Sequence, residues 1–384
     1  MAVVRGGTVY TMGEAGVVRA DVRIVDGRIE RVADRVEPER GEEVIEAEGL
    51  VVTPGFVDPH SHVGGFDGEA QDLNELTCPR TPELDALHGI DPASDDFERA
   101  LAQGITTSLV IPGSGNVIGG WGVVIKSAGP AEGRVLRHPA VLKAATGINP
   151  KGVYSGRQQM PMTRMGIIYL LRSYLRDVRD YRERKRAHEE DPSRPAPDYD
   201  AGLEHGIAVL DGEMPLKVHT YMQDMTQVVE LAREFDISVT IDHAQGASDF
   251  YDELVDPHVA GVVFGPVNMG LFPGEGGIID YECLKGLDDR GVTVTVMTDG
   301  PVSVEGMLVF QMGEAVRAGM DPVRALAMAT SNPARLLGVE DRVGSIEPGK
   351  DADLLLWSAL PTLACDARLL RVLSDGVTVY QREG

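Results

Sequence analysis

The stretch TPGFVDPHSHVGG, residues 53–65, ends an apolar run with two histidines, His60 and His62, and is punctuated by proline and glycine. This composition is typical of a buried strand that runs into a turn. Side chains two residues apart on a strand point to the same face, so both imidazoles can face one metal ion. A single pair of this kind can arise by chance in a chain with nine histidines. Its meaning depends on which residues end the other strands.

The middle of the chain, from about Val51 to Val343, alternates apolar runs with helical patterns. Eight runs are almost continuously apolar, as strands buried on both faces are: VVTPGFVDP, TTSLVIPG, WGVVIKSAG, AVLKAATG, PLKVHT, SVTIDHA, GVVFGP and VTVTVMTDG. Eight parallel strands with intervening helices predict an α/β fold of the (β/α)8 TIM barrel type. Between Lys143 and His219 the pattern is longer than one strand and one helix, and it predicts a long charged helix over residues 164–190 followed by a proline-rich loop.

Both ends of the chain are rich in short β-branched runs with Asp-Gly turns, at Asp26-Gly27 and Asp375-Gly376. We expect residues 1–52 and 344–384 to form one small β-sandwich domain. Residues 53–343 then form the barrel domain inserted between the two ends.

Composition limits the classes of partner. The formal net charge of −24 opposes binding to nucleic acid or to an anionic membrane surface, and leaves a small-molecule substrate as the expected partner. Three widely spaced cysteines give neither a disulfide framework nor a zinc knuckle, which favours a reducing cytoplasm. Neither a secretory signal nor a transmembrane run is recognisable. A homo-oligomer remains open.

Histidines and one aspartate recur where the predicted strands end. His60 and His62 end the first strand, His219 the fifth, His243 the sixth, and Asp299 the eighth. The carboxyl ends of barrel strands form the active-site face, so these side chains are expected to meet. Imidazole and carboxylate are the ligands of zinc and related divalent ions. The other five histidines fall elsewhere, and most are expected to be structural: His88, His138, His188, His205 and His258.

These motifs resemble a known family. PGFVDPHSH, the histidines and aspartate at the strand ends, the segment Asn332-Pro333-Ala334 and the run GSIEPGKDADLLLW are similar to the amidohydrolase superfamily of metal-dependent hydrolases, in its imidazolonepropionase-like branch. The resemblance implies a barrel with one or two divalent ions, usually zinc. It also implies that His60, His62 and Asp299 hold the first ion, while His219 and His243 hold a second or complete a single site.

Many binuclear members of that superfamily bridge their ions with a carbamylated lysine at the end of the fourth strand, and Lys143 stands near that place. A lysine buried among apolar residues has a lowered pKa, which favours reaction with carbon dioxide. Lys126, near the end of the third strand, is a rival for this role, and an ordinary charged lysine is the alternative. Where similar sequences have an acidic residue near GINPKG, Ile148 stands here, so no ligand is expected from that loop.

The expected reaction is hydrolysis of a C–N bond, in an amide, a cyclic amide, an N-acyl amino acid or a small peptide. A metal ion lowers the pKa of bound water, and Asp299 is the candidate to accept its proton and pass it to the leaving nitrogen. Lys151, Arg157 and Arg164 are candidates for binding a substrate carboxylate, although exposed or salt-bridged side chains are the simpler interpretation. The alternatives are a metal-dependent deaminase of an N-heterocycle and, less favoured, a non-catalytic barrel scaffold.

Overall fold

The computed structural model describes residues 1–65, 72–130, 133–266, 280–304 and 306–382. The strands within these ranges are β1 (Ala2–Tyr10), β2 (Val17–Val25), β3 (Arg28–Ala33), β4 (Glu43–Glu46), β5 (Val51–Pro54), β6 (Phe56–Ser61), β7 (Ile105–Val110), β8 (Ile118–Lys126), β9 (Val135–Ala145), β10 (Leu216–Thr220), β11 (Val239–His243), β12 (Val259–Phe264), β13 (Val294–Val296), β14 (Leu354–Trp357), β15 (Leu369–Ser374) and β16 (Val377–Gln381). The helices are α1 (Asp95–Ala102), α2 (Ile148–Ser155), α3 (Arg164–Glu190), α4 (Ala201–Leu210), α5 (Asp224–Phe235), α6 (Tyr251–Leu254), α7 (Glu282–Asp288), α8 (Met307–Arg317), α9 (Pro322–Ala327) and α10 (Ser331–Leu336).

Strands β6 to β13 form one eight-stranded sheet in chain order. Backbone hydrogen bonds between the first and last strand regions nearly close it: Asp299 N donates to His60 O at 3.0 Å, and His62 N donates to Gly300 O at 2.6 Å. The sheet is therefore a TIM-like barrel, as the strand pattern predicted. Its interior and surrounding helices share one large apolar core.

The expectation of eight parallel strands is wrong for the third strand. β8 runs antiparallel to both of its neighbours, β7 and β9, whereas every other pairing within this sheet is parallel. Parallel neighbours need a crossover connection of about a dozen residues or more, but only residues 111–117 join β7 to β8. The short connection makes a hairpin, which reverses the direction of β8 and of the residues at its ends.

Two predicted helices appear as expected. α3 spans the charged run from Arg164 to Glu190, where Thr163 caps its first turn by accepting from Gly166 N at 3.2 Å. α5 buries residues at helical spacing, with Met225, Val228 and Ala232 facing the core. None of the helices in the described ranges is both long and apolar enough to cross a membrane.

The two ends of the chain meet in a second eight-stranded sheet, in the order β16-β15-β14-β5-β1-β2-β3, with β4 paired to β1. This sheet has its own apolar cluster, which includes Val4, Val22, Ile45 and Leu354. The predicted joining of the two ends is confirmed, whereas the predicted β-sandwich arrangement is not. The domain boundaries 1–52 plus 344–384 and 53–343 stay a prediction.

Candidate metal centre

The barrel gathers the five predicted side chains at the carboxyl ends of its strands. His60, His62, His219, His243 and Asp299 are all buried, with at most 5% of any residue exposed. The imidazole centroids of His60 lie 5.4 Å from His62 and 5.0 Å from His243, and the rings of His219 and His243 lie 3.9 Å apart. His60, His243 and Asp299 each offer one potential ligand atom, and these three atoms lie within 4.8 Å of one another. Residues that are far apart in the sequence therefore form one compact cluster in the fold.

Neighbouring groups fix which nitrogen of His60 and His62 faces the cluster. Nδ1 of His62 donates to the carbonyl oxygen of Ile111 at 2.8 Å, and Nδ1 of His60 donates to the Asp242 carboxylate at 2.5 Å. A neutral imidazole that donates from Nδ1 has its lone pair on Nε2. These two Nε2 atoms lie 3.3 Å (His60) and 3.1 Å (His62) from the same oxygen of Asp299, Oδ1.

Two imidazole lone pairs and a carboxylate oxygen at such distances repel one another unless a cation lies among them. A proton or a metal ion can meet this need. Other ring nitrogens also support a cation site. Nε2 of His219 and both ring nitrogens of His243 are buried without a hydrogen-bond partner. Buried polar atoms normally have a partner, so these orphaned nitrogens fit a site for a divalent ion.

Burial also keeps the imidazoles of His62, His219 and His243 neutral, as metal ligands must be. It lowers the pKa of His243 to about 3 and the pKa of His219 well below its ordinary value. Burial opposes ionisation of Asp299, but hydrogen bonding to the imidazoles of His60 and His62, which needs a proton or another cation between them, holds its pKa well below the usual range. The cluster thus presents neutral nitrogens and one carboxylate at neutral pH.

Lys143 reaches the edge of this cluster through a serine. Its Nζ donates to Ser114 Oγ at 2.9 Å, and the same oxygen lies 2.9 Å from Nδ1 of His219. The lysine is fully buried, and desolvation lowers its pKa to about 7. A large fraction of Lys143 is therefore an uncharged amine at neutral pH.

Lys126 does not compete for this place. Because β8 is reversed, Lys126 pairs in register with Thr107 near the start of β7, at the opposite edge of the barrel. Its Nζ lies 2.7 Å from Asp353 and 2.6 Å from Asp375, both in the C-terminal region. Lys126 joins the barrel to the terminal sheet, so its candidacy as the bridging lysine was wrong.

The three predicted substrate-binding residues lie outside the imidazole cluster. Arg164 at the start of α3 pairs with Asp224 at 2.8 Å, and Arg157 donates to the carbonyl oxygen of Leu76. Lys151 is half-buried on α2. A cavity of about 490 Å³ opens beside His62, and none of the three is among its lining residues. Their role in substrate binding stays a prediction.

Sequence reasoning missed the polar residues that hold the ligands. Asp58 accepts from the backbone nitrogens of His60 and Thr298, each at 3.2 Å, so it ties the first strand end to the last. Burial raises the pKa of Asp58 to about 6. Asp242 and Ser114 hold His60 and His219 as described above. The available signal was a charged residue inside an apolar strand, as in FVDPHS and VTIDH.

Most of the remaining histidines make structural contacts. His138 pairs with Asp85 at 2.8 Å, and His258 with Asp256 at 2.7 Å. His205 donates to the carbonyl oxygen of Pro82 at 2.7 Å. These contacts agree with the expectation that most histidines outside the strand ends are structural.

A nearly closed barrel with imidazoles and a carboxylate at its strand ends is typical of metal-dependent hydrolases. Comparison with known proteins specifies the family. The model of the Amidohydrolase family matches residues 281–379. The crystal structure of an amidohydrolase from Thermotoga maritima MSB8 is similar along all of both chains, with 35% identity and a TM-score of 0.92.

Two relatives found by sequence comparison support the same family. An imidazolonepropionase from Thermoplasma acidophilum is 27% identical over 365 residues, 90% of this chain and 86% of the relative. Amidohydrolase tasK from Hapsidospora irregularis is 29% identical over 393 residues; that match covers 94% of this chain but spans only 40% of the relative's length. The chain therefore belongs to the amidohydrolase superfamily, is imidazolonepropionase-like, and is a hydrolase of C–N bonds.

Proposed function

We propose that this protein hydrolyses the C–N bond of an amide or cyclic amide in a small molecule, an N-acyl amino acid or a small peptide. The reaction uses a water molecule activated at a divalent metal centre of His60, His62, His219, His243 and Asp299. The observation that supports this most is the convergence of lone pairs from His60 and His62 on one oxygen of buried Asp299, at 3.3 and 3.1 Å. That arrangement needs a cation and lies where barrel enzymes place their active sites.

When bound there, a divalent ion supplies a water of lowered pKa and polarises the carbonyl of the substrate. The protein supplies the proton transfers. Asp299 is ionised at neutral pH because its pKa lies well below the usual range, so it can accept the proton of the attacking water. It then delivers that proton to the leaving nitrogen, which departs as an amine. His60 and His62 cannot act as proton donors in this step, because their Nδ1 protons are engaged by Asp242 and Ile111.

Zinc is the ion proposed, and Lys143 the residue that sets the number of ions. The uncharged amine of Lys143 can add to carbon dioxide, forming a carbamate and releasing one proton. A pKa lowered to about 7 by burial makes that amine abundant at neutral pH. The resulting carboxylate would lie beside Ser114 and His219, where it could bridge a second ion.

The substrate is proposed to occupy the cavity beside His62. Among the described residues that line it, Asp72, Glu75, Glu83 and Asp85 are acidic, and lysine and arginine are absent. A neutral or cationic group suits this lining better than an anionic one. If Arg157 or Arg164 binds a substrate carboxylate instead, anionic substrates should be preferred, so the sign of the substrate charge separates the two arrangements.

Two further proposals concern the binding partner and the cellular location of the protein. The net charge of −24 supports a small molecule as the partner over nucleic acid or an anionic membrane. The three cysteines, all within the described ranges, are free thiols, which supports a cytoplasmic location. A homo-oligomer stays a prediction that light scattering on the purified protein would check.

The experiment that tests the function is a substrate screen on zinc-loaded protein, with the bound metal counted on the same sample. Cyclic amides, N-acyl amino acids and dipeptides are tested, each with neutral, cationic and anionic members, and Asp299→Asn is the matched inactive control. A ring-opened or cleaved product that depends on Asp299 supports the proposal. Ammonia release from N-heterocycles without such products identifies a deaminase. Less than one tightly bound divalent ion and no turnover identify a scaffold.

A further inference from the structure

A buried ion pair lies in the barrel interior beside the candidate metal centre, and its lysine has no role in the steps above. Lys217 on β10 and Asp242 on β11 approach to 2.7 Å between Nζ and Oδ2. Their side chains are 1% and 0% exposed. Removing two charges from water is costly, so a buried pair of this kind needs a reason.

The carboxylate of Asp242 serves three barrel strands at once. Its Oδ2 faces Lys217 and accepts the Nδ1 proton of His60 at 2.5 Å, and its Oδ1 accepts from Thr240 Oγ1 at 2.7 Å. His60 is on β6, which is not adjacent to β10 or β11 in the sheet. Asp242 therefore reaches across the barrel interior to the histidine.

We propose that Lys217 and Asp242 are positioning residues that determine how His60 presents itself to a metal ion. Asp242 holds the proton of His60 on Nδ1, which leaves the Nε2 lone pair directed at the centre beside Asp299. Lys217 holds the carboxylate in place through Oδ2, the same oxygen that accepts from His60. This inference rests on the proposed metal centre, and it assigns a role to two residues that contact neither the ion nor the substrate.

The lysine is needed because Asp242 lies in a dry interior. Thr240 and His60 each donate one hydrogen bond to its carboxylate, but neither neutral group balances its charge. Lys217 supplies that positive charge from the adjacent strand. Without it, the buried carboxylate would be driven to shift towards another cation or towards water, and the Nδ1 contact of His60 would be lost.

Zinc affinity tests this role without relying on turnover. The dissociation constant for Zn²⁺ is measured by chelator competition on the full chain, for wild type, Asp242→Asn and Lys217→Met. In Asp242→Asn the side chain keeps its shape but has a single acceptor oxygen for the donors of His60, Thr240 and Lys217. Either His60 loses its acceptor, or its proton moves to Nε2, where it blocks the lone pair.

Lys126→Met is the matched control. Lys126 is also a fully buried lysine paired with aspartates, but it lies at the opposite edge of the barrel. It should lose stability without losing zinc affinity. Circular dichroism on each variant establishes that the measured protein is folded.

We expect Asp242→Asn and Lys217→Met to weaken zinc binding by about 10–100-fold, as for other residues that orient metal ligands. An unchanged affinity in folded Asp242→Asn overturns the inference, and so does an equal loss in Lys217→Met and Lys126→Met. If Lys217→Met does not fold, Asp242→Asn alone decides. If the wild-type protein does not bind zinc, the proposed metal centre is refuted, and the inference falls with it. If the wild-type protein binds zinc but the variants bind it equally well, only the positioning role is refuted.

Discussion

Replacing Lys126 with methionine should destabilise the protein through one aspartate in particular. Asp375 is half exposed, so the loss of its ion pair with Lys126 costs little stability. Asp351 still has a charge partner in the variant, because the guanidinium of Arg342 lies 2.9 Å from its carboxylate. Asp353 is buried, has one oxygen without a hydrogen-bond partner, and depends on Lys126 at 2.7 Å. Removing one partner of such a buried pair costs about 3–5 kcal/mol, and a single dependent carboxylate places the expected loss near about 3 kcal/mol.

Urea unfolding followed by tryptophan fluorescence measures this loss, with the double variant Lys126→Met, Asp353→Asn as the comparison. Neutralising Asp353 removes the uncompensated charge, so the double variant should recover part of the free energy of unfolding. Burial already raises the pKa of Asp353. In Lys126→Met the pKa rises further above its unfolded value, so the destabilisation is present at high pH and is relieved as pH falls through that pKa. A loss below about 1 kcal/mol, which is the range of surface pairs, or no recovery in the double variant, would refute this reasoning.

Three other predictions concern the centre and the surface. Asp299→Asn should lower kcat/KM by about 10²–10⁴-fold with an unchanged circular dichroism spectrum, and near-normal turnover would exclude it as the general base. Lys143→Met should reduce the tightly bound divalent ions, counted by plasma mass spectrometry, from two per chain to one; an unchanged count would exclude the bridge. His258 has a pKa raised by its hydrogen bond to Asp256. Its stabilisation, about 0.5–1 kcal/mol, is full below the unfolded pKa and lost as pH rises through the folded one, so His258→Gln should destabilise more at pH 5.5 than at pH 9 in thermal melts.

Much of the barrel could be predicted because strands buried on both faces leave a strong hydropathy signal. The direction of β8 could not be read from that signal, since a strand buried on both faces is equally apolar in either direction. The length of the connection before it contained the missing information: residues 111–117 are too few for a parallel crossover. The error then misplaced Lys126, because a residue at the end of a reversed strand lies at the other edge of the barrel.

The five histidine and aspartate positions could be predicted because strand ends in a barrel converge. Their supports could not be predicted in the same way. Ser114 lies on the loop after β7 and meets Lys143 and His219 only through the packing of separate elements. The contact between Asp242 and His60 spans 182 positions in sequence. Pattern and spacing report which face a residue is on, whereas hydrogen-bond partners depend on three-dimensional packing.

The metal centre is tested most directly by a crystal structure of the zinc-loaded protein with anomalous diffraction at the zinc edge. We expect a peak among His60, His62, His243 and Asp299, with metal–ligand distances of about 2.0–2.2 Å, and at least one zinc ion per chain in the same preparation. A peak elsewhere, or a cluster that stays free of zinc at saturating concentration with the fold intact, would contradict the metal centre and the hydrolytic function built on it.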